Sequence, residues 1–253
     1  MTGGMADATD LAPTRLDLHL VQHGLFETRA QAQAAIRAGA VTVDGRVASK
    51  PSSTVPAGAA ISATPAHPWV SRGGVKLAAA LDRFGIDPVG RHCLDIGAST
   101  GGFTHVLLAR GAASVTAVDV GRGQFHARLA GDPRVRLHEG LDARALTAVH
   151  LLAPPSLIVA DVSFISLDKA LTNALALAAP RAVLAVLVKP QFEVGRARIG
   201  RGGIVRDEAA RADAIAGVAG WLDAEGWAVR GHVPSPITGG DGNQETLLAA
   251  DRR

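Results

Sequence analysis

From Trp69 onward, short continuous apolar runs alternate with helix-forming stretches, and that alternation narrows the fold more than any other feature of the chain. The β-rich runs are His92-Cys-Leu-Asp-Ile96, Ser114-Val-Thr-Ala-Val-Asp119, Val135-Arg-Leu-His138, Leu157-Ile-Val-Ala160, Ala182-Val-Leu-Ala-Val-Leu-Val188 and Trp227-Ala-Val-Arg230. Strands apolar on both sides must be covered on both faces, which predicts a parallel sheet between two helical layers. A final strand, Glu245-Thr-Leu-Leu-Ala-Ala250, follows the Gly-rich turn Gly239-Gly-Asp-Gly242. A chain of 253 residues, 47% of them apolar, can bury one good-sized core and still carry a small accessory module.

Several classes are excluded early. The lone Cys93 permits neither a disulfide framework nor a cysteine metal cluster and suits a reducing cytoplasm. The stretch Met1 to Asp10 lacks the charged and apolar regions of a signal peptide. The most apolar stretch, Ala170 to Val188, is broken by Thr172-Asn173 and Pro180-Arg181, which argues against a membrane span. A net charge of +3 with a pI near 9.6 favours an anionic partner, but only local placement of the charges can identify it.

The N-terminal part has its own pattern. Leu16, Leu18, Leu20 and Val21 mark a short helix ending at Gly24, and Thr28 is positioned to cap a second, Arg29 to Ala38, stopped by Gly39. Val41-Thr-Val43, Asp44-Gly45 and Arg46-Val47 read as a hairpin, because Asp-Gly tolerates the positive φ of a type I′ turn. This helix-helix-hairpin unit resembles an S4 RNA-binding domain. Arg29, Arg37, Arg46 and Lys50 then form a phosphate-facing surface, diluted by Asp17, Glu27 and Asp44; taken singly, each is equally a solvated surface charge. Val55 and Ile61 close the module, and the later part of the Pro-rich stretch Pro51 to Pro68 is an interdomain linker.

The Gly-rich loop favours one cofactor class over another. The first strand of the larger part ends at Asp95 and runs into Gly97-Ala-Ser-Thr-Gly-Gly102, the position where an open α/β sheet takes its ligand. Ser99 stands where a dinucleotide fingerprint needs its second glycine, which weakens an NAD reading. A carboxylate at Asp95 repels phosphate and suits the ammonium and sulfonium of S-adenosylmethionine. Asp119, at the end of the second strand, is placed to accept from both ribose hydroxyls, and Asp142, after the third, from the adenine amino group. Each acid alone can also be read as a loop residue or a helix N-cap, Asp142 most readily; strand, loop and acid together carry the reading.

Four further residues supply chemistry: Lys76, Asp161, Lys189 and Glu245. A ribose 2′-hydroxyl is a poor nucleophile at neutral pH and must be aligned with the methyl carbon and relieved of its proton. Lys189, at a strand end, is the candidate base. A free lysine ionises near about 10.4, so action near pH 7.5 demands roughly 4 kcal/mol from its surroundings, to which burial and the second cation Lys76 contribute. Asp161 opposes that shift but can orient the amine, and Glu245 can hold Lys76 or the ribose. Without the other three, Lys189 would read as a snorkelling surface side chain and Asp161 as a turn acid.

The segments Val70-Ser-Arg-Gly-Gly-Val-Lys-Leu77, Cys93-Leu-Asp-Ile-Gly-Ala-Ser-Thr-Gly-Gly-Phe-Thr104, Ala160-Asp-Val-Ser-Phe-Ile-Ser-Leu167 and Val188-Lys-Pro-Gln-Phe-Glu-Val-Gly195 resemble the TlyA family over nearly the whole chain from Arg15. The resemblance implies an S4 domain joined to an FtsJ-like, Rossmann-like class I methyltransferase domain, its sheet mostly parallel with the last strand antiparallel. The implied boundaries are a flexible N-terminus at 1–14, the S4 domain at 15–62, a linker at 63–70 and the methyltransferase at 71–253.

The implied activity is S-adenosylmethionine-dependent 2′-O-methylation of cytidine in ribosomal RNA, of the large subunit and in some members the small, with no metal and no stable membrane association. Implied cofactor residues are Asp95, Gly97, Ala98, Ser99, Gly101, Gly102, Phe103, Asp119 and Asp142. Candidate RNA-binding residues are Arg29, Arg37, Arg46 and Lys50 of the S4 unit, Arg72, and Arg196, Arg198 and Arg201, which the sequence puts in a flexible, basic, Gly-rich loop after Lys189, otherwise a solvated loop with incidental charge. The chain departs from the family pattern at Asp142, where Asn is usual, and at Gln244, where an apolar residue is usual. A non-catalytic RNA-binding or assembly factor would not require Asp95, Asp119 and the quartet together. A membrane-active haemolysin, the label many members carry, would need an amphipathic or spanning segment that the sequence lacks.

Overall fold

The computed structural model describes residues 14–253, so the segment 1–14 lies, apart from Thr14, outside the described residues. The chain divides into two compact units meeting in sequence between Pro68 and Trp69.

In the small unit, helices α1 (Leu16–Gln22) and α2 (Arg29–Arg37) pack on a sheet of β1 (Val41–Val43), β2 (Arg46–Val47) and β3 (Ile61–Ala63), ordered β2-β1-β3 and all antiparallel. Thr28 caps α2 by accepting the Gln31 N–H, and the hairpin turns through Asp44 and Gly45 at φ 49° and 75°. Leu16, Leu20, Ala32, Ile36, Val41 and Val55 form the core. Two expectations change. Asp17 does not dilute a basic surface: it is fully buried and accepts from Arg15 at 3.0 Å, Arg29 at 2.8 Å and Gln33 at 2.7 Å, a set that holds its carboxyl well below the usual range. The segment 63–70 is not all linker, because Ala63 pairs with Val41 and Trp69 and Val70 pack on the core of the larger unit.

The larger unit is a seven-stranded sheet between helices. Its elements are α3 (Gly73–Phe84), β4 (His92–Ile96), α4 (Gly102–Ala109), β5 (Ser114–Asp119), α5 (Ala127–Ala130), β6 (Val135–Glu139), β7 (Leu157–Ala160), α6 (Leu167–Ala176), β8 (Val183–Val188), α7 (Pro190–Glu193), α8 (Glu208–Ala224), β9 (Trp227–Pro234) and β10 (Thr246–Arg252). Strand order is β6-β5-β4-β7-β8-β10-β9; β4 to β8 run parallel, and β10 lies antiparallel between β8 and β9. The two-residue alternation of each strand divides the core. Leu94, Ile96, Ile158, Ala160 and Leu184 face α6 and α8, while Cys93, Val115, Leu157 and Val159 face α3 and α4.

Removing the Asp17 carboxylate takes a charged acceptor from three donors at once, and a charge-assisted bond contributes about 1.5–3 kcal/mol. Asp17→Ala is expected to destabilise the small unit by about 2 kcal/mol, seen as faster amide hydrogen exchange across residues 16–37 with exchange in β4 to β8 unchanged.

Candidate active site

The parallel strands end on one side of the sheet, and an open α/β fold gathers its ligand site there. Asp161 follows β7 and Lys189 follows β8 directly. Because β10 is antiparallel, its first residue, Thr246, pairs with Val188, so Glu245 is delivered to the same end as Lys189. Lys76 comes from the first turn of α3. The Lys189 amine lies 2.6 Å from Asp161 Oδ1; the Lys76 amine lies 2.5 Å from Glu245 Oε2 and 3.7 Å from Asp161 Oδ2. Lys76, Lys189 and Glu245 are buried, so the quartet is a nearly dry set of two positive and two negative charges. Lys189 also donates to Ser163 Oγ at 2.9 Å.

A cavity of about 1150 Å³ opens beside this cluster, walled by Gly97, Ser99, Asp119, Asp142, Asp161 and Gln191 among others. Single small-molecule sites span about 300–1,000 Å³, so this one has room for a cofactor and part of a second substrate. Asp119 accepts the Ser99 N–H and the Gly121 N–H, each at 2.7 Å, and its two oxygens retain capacity for further donors. Asp142 both lines the cavity and caps a short turn, accepting the Arg144 N–H at 2.9 Å; its pairing with the Arg144 guanidinium lowers its pKa to about 2. Gly97 sits at φ 81°, and a Cβ there would lie 2.7 Å from the Asp161 carbonyl oxygen. The glycine loop therefore rests directly on the backbone that carries Asp161.

Five residues of the expected cofactor set are not on the cavity wall. Asp95 precedes the last residue of β4, and strand alternation turns it towards α4 rather than the cavity. It is fully buried, accepts from Thr104 at 2.7 Å, leaves Oδ1 without a partner and is raised by burial to about 7. Ala98 and Phe103 are core residues. Gly101 and Gly102 are needed for close packing: a Cβ on Gly101 would meet Leu129 at 2.7 Å, and one on Gly102 would meet the Gly74 nitrogen at 3.0 Å.

The basic residues also separate. Arg37, Arg46, Lys50 and Arg72 are exposed, whereas Arg29 is held by Asp17. Arg196 reaches the cavity wall and Arg201 is exposed, but Arg198 is paired with Asp213 at 2.6 Å and Asp207 at 3.6 Å. Their segment is not an open loop. It forms short turns at Arg196–Arg198 and Arg201–Gly203, pinned where buried Asn243 accepts the Val205 N–H and donates to the Gly203 carbonyl, each at 2.9 Å. Gln244 donates to the Ser235 and Glu245 carbonyls, so the departure there serves the turn into β10.

Other contributors carried too little signal in sequence to be singled out. Glu139 accepts the N–H groups of Gly123, Gln124 and Phe125, ordering the turn beside Asp119. Glu193 accepts the Leu167 N–H at 3.0 Å, tying α7 to the start of α6; burial raises it to about 7. Phe164 is 93% exposed at φ 68° on the cavity wall, a conformation that bulky residues rarely adopt. Lys169 adds positive charge to the same wall, where Arg144 is already paired with Asp142 at 2.6 Å.

A Rossmann-like sheet whose ligand end joins a non-dinucleotide glycine loop to a Lys-Asp-Lys-Glu cluster defines a methyltransferase class. Residues 69–252 match the FtsJ-like methyltransferase family model, and residues 14–61 match the S4 domain model. The Mycobacterium tuberculosis 16S/23S rRNA (cytidine-2′-O)-methyltransferase TlyA is 46% identical over 92% of this chain and 88% of its own length. Hemolysin A of Brachyspira hyodysenteriae is 37% identical over 92% of this chain and 98% of its own length. A Streptococcus thermophilus protein solved under a hemolysin name superposes with a TM-score of 0.75 at 38% identity, covering 95% of this chain and 88% of that one. The chain belongs to the TlyA family.

Asp95 and Glu193 bind protons more tightly folded than unfolded, so the stability they contribute is complete in acid and is lost as pH rises through about 4 to 7. Asp95→Asn keeps an acceptor for Thr104 without the buried charge. Urea unfolding is expected to show the variant more stable at pH 7 by on the order of 2 kcal/mol, with the difference gone near pH 4.

Proposed function

We propose that this protein transfers a methyl group from S-adenosylmethionine to the 2′-hydroxyl of a cytidine in ribosomal RNA. The observation that carries the reading is the buried quartet Lys76, Asp161, Lys189 and Glu245 beside a cavity large enough for cofactor and nucleotide together. The Mycobacterium tuberculosis relative is named for that reaction on cytidine. The wall fits the cofactor: Asp119 for the ribose hydroxyls, Ile96, Val118 and Leu141 for the apolar body, and the close-packed Gly97 beneath it. When bound, S-adenosylmethionine supplies an electrophilic methyl on a sulfonium. Once it has released its own proton, the Lys189 amine takes the hydroxyl proton, Asp161 holds that amine in place, and Lys76 with Glu245 fixes Asp161.

Phe164 offers an exposed ring on which a base can stack, and Arg196 and Lys169 offer positive charge for the RNA backbone. The S4 unit, through Arg37, Arg46 and Lys50, holds RNA elsewhere on a ribosomal subunit. The cytoplasm, where ribosomes mature, suits the buried free thiol of Cys93. A membrane-lytic role is not proposed: among the described residues, no helix is long and apolar enough to cross a membrane.

Lys189→Ala is expected to lower single-turnover transfer at least about 100-fold while calorimetry finds cofactor binding little changed; Asp119→Ala is expected to do the reverse, weakening cofactor binding first. Preference for NAD over S-adenosylmethionine would refute the reading. For the RNA grip, Arg196→Ala and Arg201→Ala should each reduce the salt slope of RNA binding by a little under about one. Arg198→Ala should change it less, because its charge is already neutralised within the fold.

A further inference from the structure

Lys189 is buried, yet as a base it must release a proton at every turnover. Its amine meets two groups that reach the cavity: Asp161 at 2.6 Å and the Ser163 hydroxyl at 2.9 Å. Lys76 and Glu245 face the same carboxylate from α3 and from the turn into β10. The other nearby acid, Asp241, is occupied by Gln191 and Asn243. Exit through Asp161 would leave a neutral acid between two lysines and cancel both ion pairs. Exit through Ser163 discharges only Lys189 and leaves Asp161 ionised against Lys76. The serine is exposed on the cavity wall, accepts from the amine, and can donate its own proton outward.

We propose that Ser163 is the proton exit of the active site, an inference that rests on the methyl-transfer reading above. After the ribose proton has reached the Lys189 amine, an Nζ–H proton passes to Ser163 Oγ while the serine O–H proton passes to water or a buffer base in the cavity. The amine regains its lone pair, the serine ends unchanged, and one proton leaves per methyl transferred. Ser163 thus acts on the reaction through Lys189 and is a positioning and relay residue.

The test is steady-state methylation of ribosomal subunits by the full chain across pH 6 to 9, with imidazole buffer varied at fixed ionic strength. Ser163→Ala is expected to lower kcat about tenfold or more, with KM for cofactor and RNA nearly unchanged and an altered pH profile. Imidazole should restore the rate of this variant in proportion to its concentration and leave wild type unaffected; Ser163→Thr, which keeps the hydroxyl, should restore it without imidazole. A Ser163→Ala enzyme within twofold of wild type with a superimposable pH profile overturns the relay. So does a loss that neither imidazole nor threonine repairs, which would make Ser163 a structural residue. No transfer by wild type would instead remove the methyl-transfer reading on which the relay depends.

Discussion

The pairing of Asp161 with the amines of Lys189 and Lys76 is the interaction on which the site depends. Withdrawing a single charge from water costs several kcal/mol, so two buried lysines are tolerable only if carboxylates meet them at close range. Asp161 and Glu245 do so at 2.5 to 3.7 Å, leaving the group neutral as a whole. That condition ties together four elements remote in sequence: the start of α3, the ends of β7 and β8, and the entry to β10. Displacing any one strands a charge on another, so the constellation is formed as a unit.

Backbone contacts link this cluster to the glycine loop. Gly97 lies against the Asp161 carbonyl, while Gly102 lets the start of α4 approach Ser71 and Gly74, two to five residues before Lys76. Glu193 reaches from α7, just after Lys189, to the N–H of Leu167 beyond the Asp161–Ser166 segment. The glycine loop and the quartet thus share one support, as precise positioning requires. The cost is visible in the same places. Asp95 and Glu193 are carboxyls held where ionisation is disfavoured, an arrangement that stability alone would not favour.

Charge is distributed unevenly among the arginines. Arg29 and Arg198 are neutralised within the fold by Asp17 and by Asp213 with Asp207, whereas Arg37, Arg46, Arg196 and Arg201 remain exposed. A partner's phosphates attract the second group more strongly, because the first already has its counter-charge.

The sequence by itself determined the strand–helix alternation, the hairpin at Asp44-Gly45, the Thr28 cap, the place of the glycine loop and the identity of the quartet. Most are written in local pattern, as continuous apolar runs, a dipeptide tolerant of positive φ or a capping side chain, whereas the quartet is legible through the motif segments that surround its four members. The tertiary structure decided which side chains reach the cavity. Asp95 read as a ligand contact because it precedes the loop, but a strand sends neighbours to opposite faces, and its position falls on the α4 side. Gly101, Gly102 and Phe103 sit in a cofactor-like motif and serve packing, a distinction that depends on what lies across from them. The pairing of Asp17 with Arg29 and the contact of Ser163 with Lys189 join residues 12 and 26 positions apart. No periodicity encodes such contacts, because they arise only when separate elements are packed against one another.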